Sequence, residues 1–387
     1  MSEEQAPYEV KIRAAHATDR DNFCLILYDT DYDYDEPFSI VLLYDALTPK
    51  QPWSRYDVPR LISDVEFITN VDNTETFIDL SDEGDIYRFE GDKAAHSKIE
   101  GAGLYSEDSK GYGAMNEILN LEGALLAVGL AQQLYMKEMD SWEKIEDPIF
   151  QPEGDVENIH FNAIGGRSKD HLHVVGIESM KSVQHNIPQK LLDERLAAKR
   201  ADDREWFRRV QVKIREHRTP LPKRKGRAFH FNKGTWSEIG VEDQFPETVF
   251  IDSKDQVWFG GAGNSTLIKL DEDHEIDPIE IDPEGRGSIY SITEFKDRLI
   301  LANDFGLFAY NENYDSLEDE IVRIKPKLNK KLHTKPSPLK VQAVDDVMYY
   351  FDYNLGIYIW DGDKTWTNIP IPPELLEREF KGLKSEN

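Results

Sequence analysis

The amino-acid sequence predicts an all-β fold assembled from similar four-stranded units, and three observations support this. Strand-like segments dominate the chain, alternate apolar with polar residues, and are rich in Val, Ile, Tyr and Phe. Asp, Asn and Gly, which are typical of tight turns, separate these segments. An apolar or aromatic motif, followed by an acidic or amide residue, a turn and often Trp, recurs along the chain. Such a repeat indicates units that must pack against their neighbours to bury their apolar faces.

The recurring motif has a nearly constant spacing. Its copies begin at Val41, Ile86, Leu134, Ala228, Leu267, Leu307 and Ile357, at intervals of 45, 48, 94, 39, 40 and 50 residues. One interval is about twice the others because it contains an insertion. Strand units with this period are typical of a β-propeller, in which each blade is a four-stranded sheet. We therefore predict one β-propeller domain over residues 1–387, with about seven blades beginning near residues 10, 63, 114, 156, 247, 288 and 338.

The motifs resemble those of β-propeller repeat proteins in general, and this resemblance covers nearly the whole chain. The segment from Ile251 to Gly261 is similar to the propeller repeat of bacterial sensor ectodomains and, in part, to the Asp-box of sialidases. The Gly-His and Trp-Asp dipeptides of WD-repeat proteins do not recur. The resemblance therefore implies the propeller fold without implying a particular activity.

The charge of the chain limits its partners. It has 46 Lys and Arg against 74 Asp and Glu, a net charge of −28. A chain with this charge repels nucleic acid and anionic membranes, so we expect neither as a partner. A basic protein is a plausible partner, and the alternative is that the acidity only keeps the protein soluble.

Cysteine content and apolar runs predict a cytoplasmic protein. Cys24 is the only cysteine, so neither an internal disulfide nor a multi-cysteine zinc site can form. The longest apolar runs, such as residues 123–130, are too short to cross a bilayer. The first residues are acidic and precede no apolar segment, so we expect no secretory signal.

The long interval contains a basic insertion at residues 181–227. It has 15 Lys and Arg and 6 Asp and Glu, so its net charge is +9 while the rest of the chain carries −37. Residues 189–218 lack Gly and Pro and place apolar residues at i,i+4 steps, which predicts helix. This helix either packs across its own propeller or contacts a partner. For the second case the candidate partner-binding residues are Trp206, Arg208, Arg209, Val210 and Ile214. A second short helix or a tail is expected at residues 373–387.

An alternating acidic and aromatic motif precedes the first copy of the repeat. Its carboxylates and its tyrosines would lie on opposite sides of an extended segment. A calcium loop of the EF-hand type is disfavoured, because Tyr34 replaces the turn glycine and Ile40 replaces the bidentate glutamate. A solvated hairpin loop, an acidic contact surface and another kind of metal site remain. The candidate partner-binding residues here are Asp29, Asp31, Tyr32, Asp33, Tyr34 and Asp35.

Several histidines fall in one predicted blade. His171 and His173 lie on one face of a predicted strand, and His160 and His230 belong to the same blade. No carboxylate completes a ligand set, so hydrogen-bonded structural histidines are preferred to a metal site. The sequence also has no P-loop, no G-x-S-x-G motif and no H-E-x-x-H motif. We therefore predict no catalytic residues, no cofactor and no tightly bound metal.

Three functions remain open. The first is a non-enzymatic binding protein, most specifically a bacterial immunity protein that neutralises a basic toxin through charge attraction. The second is a propeller hydrolase or lactonase that acts on a sugar or lactone through acidic residues around a central channel. The third is a scaffold or sensor module in a larger assembly.

Overall fold

Seven four-stranded antiparallel sheets follow one another along the part of the chain that the computed structural model describes. The described residues are 10–30, 37–69, 75–90, 93–138, 141–154, 156–180, 188–200, 204–216, 224–241, 243–262, 265–271, 273–281, 287–304, 306–310, 321–324, 337–362 and 366–377. In every sheet the strands are ordered as they occur in the sequence. The prediction of a seven-bladed β-propeller is confirmed, and each blade begins within one residue of its predicted start.

The first four blades contain strands β1 to β16. Blade 1 comprises β1 (Val10–Ala17), β2 (Asn22–Asp29), β3 (Ser39–Asp45) and β4 (Trp53–Val58). Blade 2 comprises β5 (Ile62–Thr69), β6 (Glu75–Ser81), β7 (Asp85–Glu90) and β8 (Lys93–Lys98). Blade 3 comprises β9 (Met115–Leu121), β10 (Ala124–Gly129), β11 (Gln133–Glu138) and β12 (Ser141–Lys144). Blade 4 comprises β13 (Val156–Ser168), β14 (His171–Met180), β15 (Gly226–Asn232) and β16 (Thr235–Ile239).

The last three blades contain strands β17 to β28. Blade 5 comprises β17 (Pro246–Ile251), β18 (Val257–Gly261), β19 (Thr266–Leu270) and β20 (Ile276–Glu280). Blade 6 comprises β21 (Ile289–Phe295), β22 (Arg298–Asn303), β23 (Gly306–Tyr310) and β24 (Ile321–Ile324). Blade 7 comprises β25 (Pro338–Val344), β26 (Val347–Asp352), β27 (Gly356–Trp360) and β28 (Trp366–Asn368). Short 3₁₀ helices lie at Pro148–Phe150 and Pro373–Leu375. The second of these begins the predicted C-terminal helix or tail, of which residues 378–387 lie outside the described residues.

The apolar core is divided among the interfaces between adjacent blades. The first strands are neighbours around a central channel, with β25 beside β1. Each of the seven interfaces between blades contains an apolar cluster. Between blades 7 and 1, the ring of Phe23 packs edge-on against Tyr349 and Phe351. Burying one such aromatic side chain stabilises the fold by about 1.5–3 kcal/mol, so the clusters hold the blades together.

Among the described residues, the ring closes between blades 7 and 1 without exchange of strands. Blade 1 consists of the first four described strands and blade 7 of the last four. Ile12 N donates to Tyr353 O at 3.1 Å across this interface. The Gln342 side chain accepts from Ala17 N at 2.8 Å and donates to Ala17 O at 2.9 Å. Closure therefore depends on side-chain packing and on these hydrogen bonds.

The connections between strands lie on two faces of the propeller. Because successive strands alternate in direction, the connections from first to second and from third to fourth strand share one face, the turn face. The connections from second to third strand, and those between blades, share the other, the insert face. Helices α1 (Gln189–Arg200) and α2 (Arg204–Glu216) belong to the β14–β15 connection and hence to the insert face. The predicted helical insertion is confirmed, with two helices in place of one. No helix among the described residues is long and apolar enough to cross a membrane.

Some of the acidic residues stabilise turns. Asp252 Oδ1 accepts from the backbone N–H groups of Lys254 and Gln256, each at 2.9 Å, in the β17–β18 turn. Asp252 Oδ2 accepts from Trp258 Nε1 at 3.0 Å. These bonds give the spacing from Asp252 to Trp258 in the sensor-like segment a structural explanation.

Candidate functional site

The central channel contains polar side chains that join neighbouring blades. It is a cavity of about 510 Å³ lined by the first strand of every blade. Asp64 Oδ2 accepts from Ile118 N at 3.0 Å, and Glu117 Oε2 accepts from Ile164 N at 2.7 Å. Bonds to the backbone of a neighbouring first strand or its flanking residues are also made by Asn116, Asn162, Ser291, Thr293 and Gln342. Many of the channel side chains therefore stabilise the ring itself.

Burial shifts the channel acids towards their neutral form. It raises the pKa of Glu66 to about 7, and burial together with the charge of Asp64 raises the pKa of Glu117 to about 8. Burial also lowers the pKa of His16, whose Nδ1 lies 3.4 Å from Glu66 Oε1. Lys340 lines the same cavity. Shifted carboxyl pKa values are typical of catalytic sites, so an enzymatic activity would reside in this channel.

The acidic motif belongs to the β2–β3 connection, which lies on the insert face. Asp29 is the last residue of β2 and only 2% of it is exposed. Its carboxylate is therefore not accessible to a partner. The other candidates of this motif lie outside the described residues and stay predictions: Asp31, Tyr32, Asp33, Tyr34 and Asp35.

The two helices of the insertion pack against each other. Trp206 Nε1 of α2 donates to Glu194 Oε1 of α1 at 3.1 Å. Val210 is fully buried. Both residues therefore stabilise the helix pair, and neither projects as a free aromatic or apolar anchor.

The exposed surface of α2 is basic and partly apolar. Arg208 and Arg209 are exposed, and Arg209 Nη1 lies 3.6 Å from Glu205 Oε1 one turn earlier in the helix. Val212, which the sequence analysis does not single out, is 50% exposed. Ile214 also belongs to α2. The helix pair thus adds a positively charged surface to the insert face.

A third feature of the insert face is the connection between blades 2 and 3, residues 99–114, which we call the tyrosine loop. Tyr105 is 79% exposed and Leu104 is 42% exposed. Glu83 Oε2 accepts from the backbone N–H groups of Leu104, Tyr105 and Ser106 at 3.1, 2.8 and 2.9 Å. A carboxylate bound by three successive amides holds the loop in one conformation. Tyr105 is therefore an exposed aromatic side chain on an ordered loop.

Gly103 allows this loop to approach Glu83 closely. Its φ is +86°, and a Cβ atom at this position would lie 2.8 Å from Glu83 Cα. Gly103 N also donates to Gln133 Oε1 at 3.2 Å, and Ser109 Oγ donates to Gly103 O at 2.6 Å. A local sequence pattern does not predict this arrangement, because Glu83 precedes its three amide partners by more than twenty residues. The Gly-rich stretch at residues 101–113 is its only local signal.

The predicted histidines divide into two environments. His160 Nδ1 accepts from Ala131 N at 3.2 Å, in agreement with a structural role. His173 and His230 are register partners on β14 and β15, and their rings stack with centroids 4.6 Å apart. His274 of blade 5, which the sequence analysis misses, lies beside them. Among the described residues, no group of three or more His, Cys, Asp or Glu could hold a metal ion.

Comparison with known proteins gives the fold and no closer relationship. No family model and no curated protein sequence matches the chain. A catalytically inactive variant of virginiamycin B lyase from Staphylococcus aureus with quinupristin matches 91% of this chain and 95% of its own, with a TM-score of 0.55 at 11% identity. The WD40 propeller domain of Doa1 matches 93% of this chain and 95% of its own, with a TM-score of 0.53 at 8% identity.

A further similar structure is that of YCF48 bound to D1 peptide. It matches 93% of this chain and 98% of its own, with a TM-score of 0.52 at 11% identity. At such low identities the similarity shows the fold alone. The chain is a seven-bladed β-propeller whose structural neighbours include both an enzyme and a peptide-bound protein.

Proposed function

We propose that this propeller is a non-enzymatic protein-binding module that contacts a basic protein partner through its insert face. The observation that carries the proposal is that three features follow one another around this face. They are the acidic β2–β3 connection of blade 1, the tyrosine loop between blades 2 and 3, and the helix pair of blade 4. Aromatic side chains often dominate the binding energy of an interface, and Tyr105 is an exposed aromatic side chain in the described part of this arc.

The distribution of charge on the insert face supports a basic partner that binds in one orientation. The acidic connection of blade 1 and the net charge of −28 attract a basic surface. The basic helix pair, with Arg208 and Arg209 exposed, would repel the same surface at the other end of the arc. Attraction at one end and repulsion at the other favour one orientation of the partner. The bound peptide in the YCF48 structure supports protein binding by a propeller of this kind.

The most specific form of this proposal is a cytoplasmic bacterial immunity protein that neutralises a basic toxin. A toxin that acts on nucleic acid carries positive charge, and an acidic inhibitor associates with it rapidly through long-range attraction. A scaffold or sensor module would use the same face for a partner in a larger assembly. Identification of the bound partner distinguishes these forms.

A propeller enzyme, such as a hydrolase or lactonase, is the second candidate. The raised pKa values of Glu66 and Glu117 in the channel favour it. The fold also occurs in virginiamycin B lyase. Against it, Glu117 Oε2 already accepts from Ile164 N, which gives this carboxylate a structural role. An enzyme would lose activity in Glu117→Gln, whereas a binding protein would keep its partner.

The test uses one variant on the insert face and a matched variant on the turn face. Wild-type protein is immobilised, its partner is captured from the native host and identified, and affinities are then measured. We expect Tyr105→Ala to weaken binding by roughly tenfold or more, because it removes an aromatic anchor. Leu47→Ala serves as the control, since Leu47 is 74% exposed in the β3–β4 connection on the opposite face. Equal affinity of both variants for the partner would contradict the proposal.

A further inference from the structure

A polar cleft lies on the turn face between blades 4 and 5, opposite to the face proposed for the protein partner. Its volume is about 530 Å³. His171 and His173 of β14, His230 of β15 and His274 of the β19–β20 turn line it. The cleft therefore brings together four of the ten histidines of the chain.

The imidazoles of the cleft have unused hydrogen-bonding capacity. The rings of His173 and His230 are nearly parallel, at an angle of 14°, and the ring of His274 lies 4.4 Å from that of His230. His173 is only 5% exposed, and its Nδ1 has no hydrogen-bond partner within the described ranges. The buried Nδ1 of His274 likewise has none there. An unsatisfied buried polar atom is unfavourable, so a ligand that draws these rings towards the cavity and bonds their nitrogens would be stabilised.

The ring geometry argues against a metal ion. The lone pair of an imidazole nitrogen lies in the ring plane, so a bound ion must lie close to the plane of every imidazole that ligates it. The planes of two stacked, nearly parallel rings do not meet between them. His173 and His230 therefore suit a ligand with several separate acceptor atoms better than a single cation.

The charged groups of the cleft favour an anion. Arg167 and Lys254 add two cations to the lining. Asp255 Oδ1 lies 3.4 Å from Arg167 Nε. Asp271 Oδ1 accepts from two backbone N–H groups of its own turn, at 2.9 and 2.8 Å. Arg167 and Asp255 thus pair with each other, and the Asp271 carboxylate is bound by its own turn. Lys254 and the imidazoles are the lining groups that remain for an anion.

We propose that this cleft binds a phosphate group, either as free phosphate or as the phosphate ester of a small molecule. Its donors come from blades 4 and 5, and a tetrahedral phosphate accepts from several directions, whereas the two oxygens of a carboxylate lie in one plane. The cavity is larger than phosphate itself and falls within the roughly 300–1,000 Å³ of small-molecule pockets. An ester therefore has room for its organic part.

The titration of the imidazoles gives the proposal a pH signature. Burial, followed by the neighbouring imidazoles and Arg167, lowers the pKa of His173 to about 3 and that of His230 to about 4. Both rings are therefore neutral near pH 7 in the free protein. A bound dianion favours imidazolium, so binding takes up protons and strengthens as the pH falls. The titratable and charged groups that face these two rings are Arg167, His171, Lys254, Asp255, Asp271 and His274.

The experiment is calorimetric titration of the full chain with inorganic phosphate, ribose 5-phosphate and sulfate. We expect saturable one-to-one binding that weakens by roughly tenfold in Lys254→Gln and in His230→Asn. Lys254 is exposed, so its variant tests the site even if His230→Asn fails to fold. His96→Gln in blade 2 is the control and should bind as the wild type does. Sulfate keeps its charge between about pH 8 and about pH 6, so its affinity should rise as the pH falls over this range.

The outcomes separate the alternatives. Tighter binding of ribose 5-phosphate than of phosphate identifies an ester as the ligand, and equal binding identifies free phosphate. The proposal is overturned if no saturable heat is seen with any of the three anions, or if Lys254→Gln binds them as the wild type does. Stoichiometric binding of zinc that is lost in His230→Asn, without anion binding, would assign the cleft to a metal.

Discussion

The central channel and the histidine cleft both bury titratable side chains, and burial drives both towards the neutral form. It raises the pKa of Glu66 and Glu117 and lowers the pKa of His173 and His230. The two regions differ in their hydrogen bonds. Glu117 accepts a backbone N–H of the next blade, whereas Nδ1 of His173 has no partner in the part of the chain that the structure describes. Glu117 of the channel therefore stabilises the ring, whereas the cleft keeps a buried nitrogen that a ligand would satisfy.

The largest expected effect is the loss of the channel acceptor in Glu117→Ala. This variant leaves Ile164 N buried without its partner, so we expect the free energy of unfolding to fall by about 3 kcal/mol. Urea unfolding near pH 5 measures it, because the raised pKa of Glu117 costs the wild type little stability there. Glu143→Ala removes an exposed carboxylate from β12 and should change stability by less than about 0.5 kcal/mol. Equal losses in the two variants would show that the channel bond does not stabilise the ring.

The second expected effect concerns the pH dependence of the channel. Glu117 has a folded-state pKa of about 8, above its ordinary value of 4.5, so its protonated form favours folding. This stability is fully present below about pH 4.5 and is lost as the pH rises through about 8. Glu117→Gln keeps an acceptor and does not titrate. Between about pH 6 and about pH 8 we expect the wild type to lose about 2 kcal/mol more stability than this variant. Parallel stability curves for the two proteins would contradict the raised pKa.

The sequence predicts the blades well and the sites poorly, for one physical reason. Strand period and turn residues are local, so the copies of the motif place each blade start within one residue. Contacts between blades join residues that are far apart in sequence. Glu83 reaches the tyrosine loop of the next connection, and His274 joins His173 from another blade. The packing of Trp206 inside the helix pair also depends on the division of the insertion into α1 and α2, which the apolar stripe does not reveal.

The third expected effect is a rise in the free energy of unfolding, whereas the first is a fall. His173→Phe keeps an aromatic ring beside His230 and removes the buried nitrogen without a partner. We expect it to stabilise the fold by about 1 kcal/mol near neutral pH and to abolish phosphate binding. The stabilisation should grow below about pH 6, because a folded-state pKa of about 3 makes the wild type lose stability as the pH falls. Thermal unfolding at several pH values measures it. A destabilised variant would show that the Nδ1 of His173 has a partner in solution.

The smallest effect on stability is expected at the insert face, where a carboxylate again binds backbone amides but lies near solvent. Glu83→Gln weakens three hydrogen bonds of the tyrosine loop, because an amide oxygen accepts less strongly than a carboxylate. Water can replace these bonds at an exposed site, so we expect a loss of only about 0.5 kcal/mol in global stability. The matched control is Glu107→Gln, an exposed residue of the same loop.

The role of Glu83 is tested more directly by the local order of the tyrosine loop than by the global stability of the protein. Once the three bonds weaken, Leu104, Tyr105 and Ser106 should exchange their amide protons faster in Glu83→Gln, while Glu107→Gln exchanges like the wild type. Hydrogen exchange followed by mass spectrometry measures this. If Tyr105 binds the partner from an ordered loop, Glu83→Gln also weakens binding, because the loop must then be ordered on association. Faster exchange with unchanged affinity would mean that the carboxylate shapes the loop and that Tyr105 does not contact the partner.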